Sequence, residues 1–245
     1  MPKVYRHPEL ERRIQERLFV RIAKAHEPRI KRELAAQYNA AAAGNKIKDG
    51  RMVDTIAAIM RDGYNQIGSR AATAIRDSQG KSIKRAVPMD PAFEAGLNDY
   101  IDQYSAMKVK DISDTTRARI ALITRQGIDE GLTGREVADR IRQLGLTDPP
   151  FRASVIARTE SHSAANAGSL ESAIESDVVK EKEWIFTEDE RTRDGETGEF
   201  DHTNVSNAQV DEPFIVSGEE LMFPGDPSGS AGNIINCRCC TGYVV

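Results

Sequence analysis

Cysteine is scarce in this 245-residue sequence: there are three, Cys237, Cys239 and Cys240, all within four positions near the end. Three crowded thiols make no disulfide framework, so the chain reads as one synthesised in a reducing compartment. Long apolar runs are missing as well. No stretch approaches the ~18 residues of a membrane helix, and the opening MPKVYRHPELERR lacks the apolar centre of a signal peptide. There is no G-x-S-x-G elbow, which argues against a serine hydrolase, and no G-x-x-x-x-G-K-[ST] phosphate loop. GDPSGSAG is glycine-rich but has neither the lysine nor the following helix, so it reads as a turn system. Strands and helices do not alternate, which excludes a doubly wound parallel sheet.

What is present is the composition of a soluble globular protein, 39% hydrophobic and 29% charged, long enough for one large domain or two ordinary ones. The net charge of −4 conceals a split. Residues 1–109 carry 20 Lys and Arg against 13 Asp and Glu, whereas residues 110–245 carry 14 against 25. A basic helical half suits nucleic acid or an acidic protein surface, and equally suits two solvated faces of differing composition.

Periodicity sets the order of elements. Residues 8–43 predict a helix with a stripe at Leu10, Ile14, Leu18, Ile22 and Ala25, broken or kinked at Pro28 and ended at Gly44. A second helix is expected from Met52 to about Ser78, weakened by Gly63 and Gly68. KRAVPMDP reads as a linker before a helix over residues 92–112. A further helix is expected to start at an N-cap, Ser113 or Asp114, and to close at Gly131. Thr133 and Glu136 form a capping box for the next. Pro149 and Pro150 suit the first turn of the one after, whose small residues Ala164, Ala165, Ala167 and Gly168 permit close packing. Beyond Asp177 come β-like islands at VKEKEWIFT, PFIVS and EELMF, and a last strand, INCRCCTGYVV. The fold class is therefore α+β: a mainly helical N-terminal part, then a small loop-rich C-terminal module with a short antiparallel sheet. Residues 1–109 form the basic helical part. The second unit, 110–245, has helices over 112–177 and a β-rich region over 178–245.

Two constellations offer chemistry. On a strand, Cys237 and Cys239 point to one side and Arg238 and Cys240 to the other. The paired thiols are either a packed β core or two ligands of a zinc site, the remainder coming from His202, Asp189, Asp194, Asp201 or His162. A disulfide between residues two apart on a strand is excluded by distance. The second constellation is TEDERTRDGETGEFDH, where Glu188 and Glu190 have the E-x-E spacing of mono-ADP-ribosyltransferases, with Arg158 upstream. The alternative is a charged loop in which Arg191 and Arg193 pair with nearby carboxylates. Ser161, His162 and Ser163 are sequence neighbours that do not face each other on a helix, so no catalytic pair arises there.

Five blocks in order resemble the phage Mu F-like family of minor capsid, or head morphogenesis, proteins. They are Ala157-Arg158-Thr159-Glu160 with Asn166; Trp184, Asp189, Arg191 and Arg193; Asp211-Glu212-Pro213-Phe214; Pro224-Gly225-Asp226-Pro227; and Asn236-Cys237-Arg238-Cys239. The resemblance covers rather more than half of the chain. It departs from the family pattern at DGETGEF, which intervenes before His202, where relatives place a histidine soon after the arginine block. The resemblance implies a non-enzymatic structural protein of a tailed-phage head, present in several copies at the portal vertex and made in the host cytoplasm. It acts there in head morphogenesis, with DNA packaging or ejection as a further role. Its implied partners are the portal protein, other head proteins and packaged DNA, with no membrane. It implies that the motif residues named are structural, and no cofactor is expected unless Cys237, Cys239 and His202 bind zinc, a reading that rests on the residues themselves.

Overall fold

The computed structural model describes residues 8–78, 91–196 and 198–244. Four long helices come first: α1 (Pro8–Ala42), α2 (Gly50–Ser78), α3 (Pro91–Asp129) and α4 (Gly134–Glu175). The C-terminal module then contains β1 (Glu181–Ile185), β2 (Ala208–Gln209), β3 (Phe214–Val216), β4 (Glu219–Leu221), the single turn α5 (Ala231–Ile234) and β5 (Cys240–Val244). An antiparallel sheet runs β2-β1-β5, and β3-β4 is a separate hairpin. Its two-residue turn, Ser217-Gly218, has φ of 51° and 83°, the pair of positive values that lets a tight hairpin keep the strand twist. The α+β reading holds.

The helices are longer than local signals predict. Pro28 neither breaks nor ends α1. It lies on the exposed face together with Lys24, whose carbonyl it leaves without a partner, so water can take the bond. The expected start at Ser113 or Asp114 does not occur, because α3 runs straight through. Ser113 spends its hydroxyl on other elements: it donates to Asp49 at 2.6 Å and accepts from Gln37 at 3.1 Å. The expected division at residue 109 likewise falls inside α3, and one apolar cluster extends from Ile22 to Tyr243. In α1 the buried stripe is Phe19, Ile22, Ala23, Ile30, Leu34 and Tyr38. Ile14 and Leu18 are only half-buried and Ala25 is exposed, while the side chain of Leu10 and linker residues 84–90 lie outside the described residues.

Pro149 and Pro150 also sit inside a helix rather than at its start, since α4 continues from the Thr133–Glu136 capping box to Glu175. Two missing amides cost the turn its bonds to Gly145 and Leu146. A buried polar knot holds the chain there instead. Tyr38 donates to Asp148 at 2.7 Å, and Arg152 reaches Thr116 at 2.9 Å, Asp148 at 3.3 Å and the carbonyl of Ile112 at 2.9 Å. Arg119 completes it on the other oxygen of Asp148. Burial, then the bond to Asp148, pushes the Tyr38 hydroxyl up to about 12. α1, α3 and α4 are thus tied at the point where α4's own ladder is weakest.

α4 packs chiefly against α1 and α2 and is buried without a break from Thr159 to Leu170. Small residues permit this. A Cβ on Gly168 would meet the carbonyl oxygen of Tyr64 at 2.4 Å, and one on Gly68 would meet the ring of Phe93 at 2.4 Å and the carbonyl of Gly168 at 2.7 Å. Ser172 donates across this contact to the carbonyl of Gly68 at 2.8 Å. Gly168→Ala is expected to lower stability by about 1–3 kcal/mol, despite alanine's better helix propensity, because the opposing group is backbone. Gly134→Ala, where nothing lies within 4 Å, should be neutral or stabilising. Denaturant midpoints of the two variants check this, and equal midpoints would show that the helices do not meet so closely.

Candidate metal centre and its supports

The loop after β1 explains how His202 reaches the cysteines. Asp194 and Asp201 form an antiparallel bridge, with the amide of Gly195 donating to the carbonyl of Phe200 at 3.2 Å. Gly195 has φ of 76°, which favours glycine. The amide of His202 donates to the carbonyl of Arg193 at 2.7 Å, so the bridge brings the histidine back beside the arginine block. Asp201 accepts from the amide and hydroxyl of Thr203 at 2.8 and 2.7 Å, which fixes the exit.

Three donors converge. Nδ1 of His202 lies 3.7 Å from Sγ of Cys237 and 3.5 Å from Sγ of Cys239, and all three atoms lie within 4.8 Å of one another. All three residues are buried. Cys237 and Cys239 precede β5 rather than lying on it, which corrects the expected strand, yet their side chains share one side and Arg238 takes the other. The tautomer of His202 follows from its neighbour on α5. Asn233 donates an amide proton to the carbonyl of Val216 at 3.3 Å, which turns its oxygen toward the imidazole. Its oxygen, 3.0 Å from Nε2, must then accept from His202, so Nε2 carries the proton and the bare Nδ1 faces the thiols. Nothing in the AGNIIN stretch marks Asn233 for this role beforehand. The thiols are coupled: a bond from Cys239 is the chief cause that holds Cys237 well below the ordinary thiol range, while burial and then Cys237 hold Cys239 well above it. Trp184 packs edge-on against His202 at 5.4 Å. Its buried indole N–H reaches no acceptor in hydrogen-bonding geometry, but it sits beside Cys239 and favours the thiolate there.

The other candidate ligands are engaged elsewhere. His162, on α4, lies 2.6 Å through Nε2 from the carbonyl of Cys239, and Asn166 donates to that carbonyl at 3.5 Å. They brace the cysteine segment from behind. Gly225 packs on the same imidazole, where a Cβ would lie 2.8 Å from Nδ1, and its φ of 83° is a second reason for glycine. Asp189 takes a bidentate pair from Arg238 at 2.5 Å, which holds its carboxyl well below the usual range. Arg191 joins Asp189 at 3.4 Å, but Arg193 donates to the carbonyl of Ile235 at 2.6 Å rather than to a carboxylate.

The remaining motif residues lock blocks together. Thr159 accepts from the amide of Asn236 at 3.1 Å, and Asn236 itself has φ of 57°. Asp226 accepts from the amides of Met222 and Ser228 at 2.7 and 2.9 Å, closing the turn that holds Pro224. Phe214 stacks edge-on with Trp184 at 5.4 Å, next to half-buried Pro213. Glu160 is buried with its carboxyl raised by desolvation, and one oxygen has no partner. Arg158 lines a cleft of about 270 Å³ with Arg191, Asn236 and Arg238. Glu188 and Glu190 are exposed and line no part of that cleft, so the E-x-E residues are not assembled with Arg158 there.

Comparison with known proteins finds a family match over this region. Residues 118–241 match the family described as phage Mu protein F like protein. A curated relative, the uncharacterized protein YqbB of Bacillus subtilis, is 32% identical over 147 residues, covering 56% of this chain and 47% of its own. The chain thus spans about half the length of that relative. No solved structure matches.

Lys182 was not among the residues singled out by sequence, yet it is fully buried, donates to the carbonyl of Met222 at 2.8 Å and lies 4.9 Å above the Phe214 ring. Burial lowers its ammonium from 10.5 to about 8, against the opposing pull of Asp226, Asp211 and Glu212. Between about pH 8 and 10.5 the unfolded chain keeps a proton that the folded one has released, so this group's contribution makes stability rise with pH across that window. Below pH 8 the contribution is flat. The wild type should therefore gain on Lys182→Met as pH rises from 8 to 10, in unfolding free energies taken at each pH. Parallel profiles would show that the amine is not perturbed.

Proposed function

The chain belongs to the phage Mu protein F like family, and from that premise we propose that it is a minor structural protein of a tailed-bacteriophage head, acting in head morphogenesis at the portal vertex. The match over residues 118–241 carries this reading. It takes in the last third of α3, all of α4 and nearly all of the β module. The contacts support a structural role for the motif residues: Thr159, Asp189, Asp226, Asn236 and Arg238 hold one another or the backbone. No described helix is long and apolar enough to cross a membrane.

The charge split extends the reading to partners. The basic excess lies in residues 1–109, which contribute α1, α2 and the first half of α3. That surface suits the portal protein's acidic faces or the phosphates of packaged DNA. We assign no catalytic step to the chain, and a role in packaging or ejection follows from its place beside the DNA path.

Mass spectrometry of fractionated virions tests this directly. The chain should appear in heads in a few copies per particle and be missing from tail fractions. Its absence from purified heads, or its presence only in tails, would sink the proposal. Co-expression of the full chain with the portal protein should give a complex that weakens as salt rises, since the docking surface is charged.

A further inference from the structure

We propose that the module binds one zinc ion through Nδ1 of His202 and the thiolates of Cys237 and Cys239. The distances suit the ion. Tetrahedral zinc, with bonds of about 2.3 Å to sulfur and 2.0–2.1 Å to nitrogen, separates its ligand atoms by roughly 3.5–3.8 Å. The two nitrogen–sulfur separations are 3.5 and 3.7 Å. Hydrogen bonding within the trio is a weak alternative, because a thiol is a poor donor and its sulfur a poor acceptor. A cation between them uses all three donors.

The surroundings are those of a ligand set held for metal. Asn233 accepts from the Nε2–H of His202 and is itself fixed by its bond to Val216, so the imidazole is oriented and its tautomer set. Orphaned in the absence of a full acceptor, the indole N–H of Trp184 lies where a metal-bound thiolate of Cys239 would accept from it. For the fourth position, a cleft of about 10 Å³ opens beside His202 and Cys239, between Arg191, Arg193 and Arg238. That is about the volume of one water probe. The arginines favour a water that has given up a proton. Binding releases the thiol protons and ties His202, next to the Asp194–Asp201 bridge, to the segment before β5, so the ion stabilises the module.

Full-length protein from a zinc-supplemented culture should carry one zinc per chain by native mass spectrometry, lose it to a chelator, and melt lower afterwards. Cobalt(II) replacing zinc should give a near-ultraviolet thiolate-to-metal band. That band should weaken in Cys237→Ser and Cys239→Ser and persist in Cys240→Ser. Asn233→Leu, which touches no ligand atom of the ion, should weaken zinc binding about 10–100-fold. A chain that stays metal-free in zinc, with a melting temperature unmoved by chelator, overturns the assignment. So does a cobalt band that Cys240→Ser removes and Cys237→Ser leaves. If the cysteine variants do not fold, the wild-type cobalt spectrum and the chelator experiment decide alone.

Discussion

The unbroken burial of α4 from Thr159 to Leu170 is the constraint on which the rest of the molecule depends. A helix enclosed on every side gains from giving its polar groups partners, although one oxygen of Glu160 has none, and it must let neighbours come close on at least one flank. Both demands are visible in its residues. One flank uses Gly168, Ala164 and Ala165 to admit α2 at backbone distance. The other uses Thr159, His162 and Asn166 to take up backbone groups of the C-terminal segment. The same turns therefore pack the helical body and fasten the β module to it. The cysteine segment adopts its irregular path because α4 offers hydrogen bonds in place of a sheet ladder.

The module itself is small, and much of its cohesion is polar. Asp226 organises one turn, Arg238 with Asp189 clamps another, and Lys182 is threaded through the interior to a carbonyl. Such bonds fix directions more than they add stability, since each charge gives up water to form them. What they achieve is registry: five short blocks, separated in sequence, meet at defined atoms. The apolar contribution is one cluster of Trp184, Phe214, Val216, Leu221 and the two cysteines, which places the thiols at its polar edge next to His202.

Sequence periodicity was enough to place the helices and to separate them from a β-rich end, because amphipathic spacing and turn residues act locally. It misjudged where helices join. Ser113 and Pro149-Pro150 are good local signals for a start, but Ser113 bonds to Asp49 and Gln37, and the prolines are bypassed by the Asp148 knot. Those partners lie 29 to 110 residues away in the chain, beyond the reach of any window. The turn of Arg238 away from its flanking thiols was legible, since alternation sends it there even off a strand, but its partner Asp189 came only with the fold. The place of His202 depended on a bridge closing between two aspartates, a long-range event hidden in a charged loop. Asn233 was invisible, as its meaning comes wholly from what it faces.

α4 also sets a gradient. It has 42 residues, roughly 60 Å of continuous helix, and its two ends live in different surroundings. Most of its first two turns, up to Arg140, stand in solvent, steadied by the capping box and by an ion pair of Arg140 with Glu130 at 2.6 Å. Its later turns lie at the centre of the body. Amide protons of the first turns and of the enclosed Thr159–Leu170 stretch must therefore exchange by different routes, the first by local fraying and the second only by opening of the whole molecule. The exposed hairpin between α3 and α4 can unwind and rewind while the module bound to α4's far half keeps its shape.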